Sequence, residues 1–361
     1  MKKILVLFLF VLNLGCMRDT WDEHTFLYVV NDSDNTVSRL EVDLDGNVML
    51  WETTALPAAG TPNSMFLKIH PNNKFVYVQL TSFYAVYMAE DDGTLINPQL
   101  FANITRGSNS FGIYIEGTHF FSPNGKWHTI VNGSDTTVFL DSVDQTTGML
   151  TQVSATGTGN WPGSPIFHPS GKYFYVFTVS GNGYYAYCLS EDGLVTSGPA
   201  WVGWSEPPPE RVAIHPSGQY IYGTNNSYTH LWMIPVISGG ADIDYNNVVQ
   251  YTIVPGSNYG TYIHPNGKFL YTISGVNIEV WRIDQTTGQL MNVSSYTLTA
   301  TPCMAAFNPS GQWLYVSHPT ANKVTVLNVD GTTGALTFNS EFTTGSLPNY
   351  IGVARVSRES R

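Results

Sequence analysis

Four of the nine histidines stand in one repeated context: His70-Pro71, His168-Pro169, His215-Pro216 and His264-Pro265. Imidazole is a common zinc ligand, but a zinc site needs its ligands about 2 Å from one ion. These four occupy equivalent places in successive repeats, so the architecture holds them apart and they read as turn-capping residues. Charge that could act on a substrate is sparse. Arg106, Glu206, Glu210 and Arg211 are the charged group of the irregular segments. A carboxylate beside an arginine suits ring-opening hydrolysis, one moving a proton and the other stabilising an oxyanion. Trp161, Trp204 and Tyr259, with Trp201 and Tyr350 nearby, offer flat aromatic surface that could anchor a protein or stack on a sugar. Asp32-Ser33-Asp34-Asn35 carries oxygen ligands of the calcium type, but the EF-hand glycine and glutamate spacing is missing, so it reads as a turn. No C-x-x-C, H-E-x-x-H, G-x-x-x-x-G-K or G-x-S-x-G pattern occurs, and no metal or cofactor is expected.

Composition narrows the function classes. Of 361 residues 43% are hydrophobic and only 12% charged, which suits a large packed core and not a disordered chain. The net charge of −11 excludes a basic nucleic-acid footprint. Lys2 and Lys3 precede an unbroken apolar run from Ile4 to Leu12, too short to span a bilayer, as in a signal peptide. The run ends in Leu12-Asn13-Leu14-Gly15-Cys16, which resembles a bacterial lipoprotein box. That resemblance implies cleavage before Cys16 and acylation of its sulfur and amino group. The expectation is an exported, lipid-anchored, monomeric protein at the outer membrane, with a leader over 1–15 and a tether over 16–24. With only Cys188 and Cys303 left over, it is no disulfide scaffold, and both read as small buried residues.

A repeat positions everything after residue 24. The turns His70-Pro-Asn-Asn-Lys74, Ser122-Pro-Asn-Gly-Lys126, His168-Pro-Ser-Gly-Lys172, His215-Pro-Ser-Gly-Gln219, His264-Pro-Asn-Gly-Lys268 and Asn308-Pro-Ser-Gly-Gln312 recur at intervals of 44 to 52 residues. An aromatic β-run follows each turn, as in Phe75-Val-Tyr-Val78 and Trp313-Leu-Tyr-Val316, and Phe26-Leu-Tyr-Val29 supplies a seventh run. A second turn then closes most units, as in Asp144-Gln-Thr-Thr-Gly148 and Asp92-Gly93. Four short strands per unit, seven times over, predict an all-β, seven-bladed β-propeller over 25–356, with a polar tail at 357–361. The first unit lacks an innermost strand, and the stretch 347–355 matches one, so the C-terminus is expected to close the ring.

The strand run Tyr28-Val-Val-Asn31 with Asn35-Thr-Val-Ser38, the His-Pro-Ser/Asn-Gly turns and the Asp-x-x-Thr-Gly-x-Leu turns resemble the lactonase-type seven-bladed propellers. That group includes 6-phosphogluconolactonases, muconate-lactonising enzymes and YVTN-repeat surface propellers. The resemblance implies the fold; its markers are scaffold and carry no activity. In such a disc the His-Pro and Asp-Gly turns share one regular face. The opposite face gathers the irregular loops, where function is expected. Glu206, Glu210, Arg106 and Arg211 would then meet at one half of the central mouth, from loops entering blades three and five. With so few ionisable groups there, the sequence favours a binding or scaffolding module for a protein or carbohydrate, and a lactone hydrolase is the alternative.

Overall fold

A computed structural model describes residues 22–43, 45–57, 66–80, 83–102, 119–132, 136–158, 162–178, 183–193, 195–197, 202–203, 209–225 and 229–358. Cys16, Arg106, Trp161, Trp204 and Glu206 lie outside the described residues. Seven antiparallel sheets form the blades of a propeller ring. Blades four and five carry their outermost strand as two short pieces, Val195–Ser197 with Val202–Gly203, and Asp242–Ile243 with Val249–Thr252.

Burial explains the sequence pattern strand by strand. The second strand of each blade has a neighbouring blade on both faces, so Phe26 to Val30, Phe75 to Val78 and Phe269 to Ser274 are continuously buried. Such strands read as unbroken apolar runs instead of alternating ones. The outermost strands face solvent at the rim, and Leu150–Gly157 and Leu336–Thr343 alternate exposed with half-buried residues.

The two turn types and the aromatic run are parts of one inter-blade joint. Phe26 of blade one lies on Gly93 of blade two, Phe75 on Gly148, Trp127 on Gly193, Tyr173 on Gly240, Tyr220 on Gly288 and Phe269 on Gly334. Trp313 of blade seven lies on Gly46 of blade one and completes the circuit. A β-carbon on any of these glycines would fall 2.1 to 2.8 Å from the ring. Blade five has no Asp-Gly pair in sequence, and Gly240 takes its place.

Hydrogen bonds lock five of the seven joints. Two residues after the aromatic, Tyr28, Tyr77, Tyr175, Tyr222 and Tyr271 donate to the carbonyls of Gly93, Gly148, Gly240, Gly288 and Gly334 at 2.5 to 2.8 Å. Burial raises these phenols above their ordinary value, which keeps them protonated donors. Closer to the axis, Nε2 of His70, His168, His215 and His264 donates to the carbonyl of Gly125, Gly218, Gly267 and Gly311 in the next blade, at 2.7 to 3.2 Å. Nδ1 of each accepts a backbone N–H of its own turn. That pairing selects the neutral tautomer protonated at Nε2. Gln145 donates to the Gly125 and Val143 carbonyls, so the His-Pro-type and Asp-Gly-type turns do share a face. Asp144, Asp284 and Asp330 each accept two backbone N–H groups of their own turn, which holds their carboxyls below the usual range.

The C-terminal strand closes the ring. Pro348–Arg358 forms the innermost strand of blade one, paired with Asp22–Asn31 from Asp22↔Arg358 to Asn31↔Pro348. Pairing therefore reaches two residues beyond the expected end of the propeller and takes in residues 22–24 of the expected tether. The pairing covers the edge of Asp22–Asn31 that would otherwise stand open.

The joints make a graded prediction. Gly171 and Gly288 both have φ of +70°, but a β-carbon on Gly171 would meet nothing closer than 3.7 Å. Gly171→Ala should therefore lose only the backbone term, about 1 kcal/mol. Gly288→Ala should lose about 3 kcal/mol, because its methyl would also collide with Tyr220. Urea unfolding of the two variants measures the difference, and equal losses would contradict the joint.

Candidate functional site at the irregular mouth

Opposite the turn face, each second strand ends where an innermost strand begins. Four consecutive blades place polar groups there. In blade five, Arg211 is the first residue of the innermost strand Arg211–Ile214, paired with Thr224, and only 6% exposed. Glu210 precedes it half-buried, and its backbone N–H extends the ladder to the Thr224 carbonyl at 2.9 Å. From the sequence both were expected on the loop entering blade five. Strand pairing instead pulls Arg211 into the ring, a correction with energetic weight because a guanidinium out of water acts far more strongly.

Blade six continues the series. Asn258 starts its innermost strand, 1% exposed, and donates to the Asn225 carbonyl of blade five at 2.6 Å. Thr224 and Thr261 hydroxyls meet at 3.1 Å across the same seam. In blade seven His318 is fully buried at the end of Trp313–His318. Its Nδ1 donates toward the Ala300 and Thr301 carbonyls, and its Nε2 accepts from the Thr325 hydroxyl at 2.9 Å. Burial lowers this imidazole, and the nearby Lys323 adds to the effect, so it stays neutral. Blade one supplies Asn349, 3% exposed, whose amide donates to Asp32. Desolvation raises the Asp32 carboxyl to about 6, against the lowering effect of that hydrogen bond. The Ser317 hydroxyl donates to the Asn349 carbonyl at 3.1 Å and ties blade seven to the closing strand.

Two of the aromatic candidates, Tyr259 and Tyr350, fall within the described residues. Tyr259 is half-buried against the hydrophobic core between blades six and seven, and its carbonyl accepts the Tyr262 hydroxyl at 3.1 Å. Tyr350 is buried and packs on Phe66 at 4.7 Å between ring centres. Tyr350 is a packing residue, while Tyr259 keeps part of its surface exposed at the seam. The turn histidines are inter-blade donors, as above. Among the described residues no three His, Cys, Asp or Glu side chains are placed to hold a metal ion.

One polar pair escaped the sequence reading. His128 and Asp141 are cross-strand partners in blade three, both buried, with Nδ1 and Oδ2 at 3.4 Å. In other blades the matching pair is apolar, as Phe174 with Tyr187 or Leu270 with Trp281. His128 borders a small cavity lined also by Phe66, Lys68, Tyr77, Gln79 and Tyr84. A histidine inside an aromatic β-run was the available signal.

A family model described as lactonase, 7-bladed β-propeller matches residues 209–352, which spans blades five to seven and the start of the closing strand. A 6-phosphogluconolactonase of Yersinia enterocolitica is 20% identical over 344 residues, covering 91% of this chain and 97% of that protein. Its Yersinia pestis counterpart is 22% identical over 346 residues, covering 91% and 97%. Among solved structures, a periplasmic gluconolactonase of Pseudomonas aeruginosa superposes with a TM-score of 0.74 at 17% identity, covering 93% of this chain and all of that one. A Lactobacillus plantarum protein gives the same TM-score at 12% identity, covering 92% and 99%. The chain is thus a seven-bladed β-propeller, similar over residues 209–352 to the lactonase, 7-bladed β-propeller family and along its length to 6-phosphogluconolactonases.

Proposed function

We propose that this propeller hydrolyses a lactone, of a sugar acid or a muconate-like acid, at its irregular mouth. The observation that carries the reading is the similarity to 6-phosphogluconolactonases along 91% of the chain, combined with a buried arginine at the mouth. It favours hydrolysis over the scaffolding role that the sparse charge had suggested.

The chemistry needs three things of these residues. Water must lose a proton as it attacks the ring carbonyl, and Glu210 is the described carboxylate beside the arginine. The carbonyl oxygen gathers negative charge, and the Arg211 guanidinium at low dielectric stabilises it. Breaking the ring C–O bond leaves an alkoxide that takes a proton and yields the open hydroxy acid. Arg106 and Glu206 belong to the same proposal, from the loops entering blades three and five. The buried amides of Asn258 and Asn349 suit orientation of a hydroxylated ring, being neutral donors and acceptors at fixed places.

With purified protein and a panel of sugar-acid lactones, Glu210→Gln or Arg211→Ala should lower turnover by about a hundredfold. Arg211→Lys should recover part of the Arg211→Ala loss. No hydrolysis of any lactone by the wild type, or unchanged rates in folded variants, would overturn the reading.

We also infer that the protein is exported and held to a membrane by an acylated Cys16, with the propeller displayed from the short tether. Cys16→Ala should move it into the soluble fraction, because more than one acyl chain is what gives firm anchorage. Retention of the variant in salt-washed membranes would contradict the anchor.

A further inference from the structure

Charge is divided between the two faces of the disc. Lys74, Lys126, Lys172 and Lys268 end the His-Pro-type turns and are exposed, so these cations stand on the turn face. The opposite face is acidic. Asp32 and Asp34 lie on the turn between Asp22–Asn31 and Thr36–Val42 of blade one, and Asp135 stands between Trp127–Asn132 and Thr137–Val143 of blade three. Glu116 belongs to the segment that enters His119–Phe121, and Glu206 and Glu210 to the one that enters Arg211–Ile214.

Cations on that face are fewer. Arg106 shares the segment of Glu116, Arg211 opens the innermost strand of blade five, and Lys323 opens the third strand of blade seven. Lys323 is already matched, with its Nζ 2.6 Å from Glu341 Oε2. Six carboxylates then stand against two arginines. The groups buried at the mouth between blades five, six and one are mostly neutral: the amides of Asn258 and Asn349 and the hydroxyls of Thr224 and Thr261. Amides and hydroxyls pair with the hydroxyls of a sugar ring without needing charge on it.

A phosphate ester brings a charge of about −1.5 to −2 at neutral pH and is held by several cationic donors. An acidic cleft opposes it twice, by slowing its approach and by weakening its binding, because the charges of a cleft act together on a ligand. Resting on the hydrolytic reading, we propose that the substrate is an uncharged, hydroxylated lactone, and that the acidic mouth turns away phosphate esters and lactones bearing a carboxylate. The same field speeds departure of the product. Ring opening converts a neutral lactone into a carboxylate, which the mouth then repels.

The experiment compares kcat/KM of the purified full-length protein for glucono-1,5-lactone and for its 6-phosphate, at low and at high salt. At low salt the uncharged lactone should be preferred by about tenfold or more, as expected of a field that acts on charge. The ratio should shrink as salt is added, since exposed charges are screened beyond about 10 Å at 0.1 M. Asp34→Asn combined with Asp135→Asn removes two carboxylates that take no part in the reaction, and asparagine at 34 keeps an acceptor for the Ser346 N–H. This double variant should raise the value for the phosphate ester by about threefold and change that for the uncharged lactone less than about twofold. Preference for the phosphate ester, or a ratio that fails to move with salt or with the double variant, overturns the inference and leaves hydrolysis standing. If neither lactone opens faster than in buffer, the hydrolytic reading falls and takes this inference with it.

Discussion

An aromatic ring resting on a glycine of the next blade is the contact on which this structure depends. It occurs at every one of the seven seams, and at each the glycine leaves too little room for a β-carbon. The ring buries the aromatic of one blade, and the hydrogen bonds beside it fix how far the next blade slides and turns. Each blade on its own would expose both apolar faces of its second strand. Stacked through these joints, the blades bury one another, which is why the sequence repeats a joint and not merely a strand pattern.

Exceptions show how the joints share the load. Blade three has Thr129 where other blades carry the latch tyrosine, and Ser122 where they carry the turn histidine. It compensates locally, with Trp127 seated on Gly193 and the Ser122 hydroxyl accepting the Trp127 N–H at 2.9 Å. Blade seven has Asn308 in the histidine's place, and its side chain likewise accepts the Trp313 N–H. With the turn face committed to such bonds, the opposite face is free to vary. There the ends of blades five, six, seven and one can bury Arg211, Asn258, His318 and Asn349, groups that add little to the core and suit recognition of a polar substrate.

The fold was legible because its joints are local in sequence. A His-Pro turn, an aromatic run and an Asp-Gly turn each announce themselves within a few residues, and their spacing counts the blades. Blade five shows the limit: it lacks Asp-Gly, and only the three-dimensional position of Gly240 reveals the substitute. The site was less legible because its character comes from the ring. Nothing local distinguishes Arg211 on a loop from Arg211 at the start of a buried strand, and the difference changes its electrostatics. Tyr259 differs again: its type promised a surface, and its seam position leaves it half-buried against the core. His128 with Asp141 could be suspected from a histidine inside an apolar run, but their pairing needs the strand register.

Ring closure tests the account most directly, since the seventh joint and the last innermost strand have no substitute elsewhere in the chain. The measurement is urea unfolding, followed by tryptophan fluorescence and far-ultraviolet circular dichroism, of a chain ending at Gly345. Without Pro348–Arg358, the strand Asp22–Asn31 loses its inner partner and blade one loses the Ser317–Asn349 tie to blade seven, leaving Trp313 on Gly46 as the remaining contact of that joint. The account predicts no single cooperative transition and poor recovery of soluble protein. A sharp transition with the full-length midpoint would contradict it.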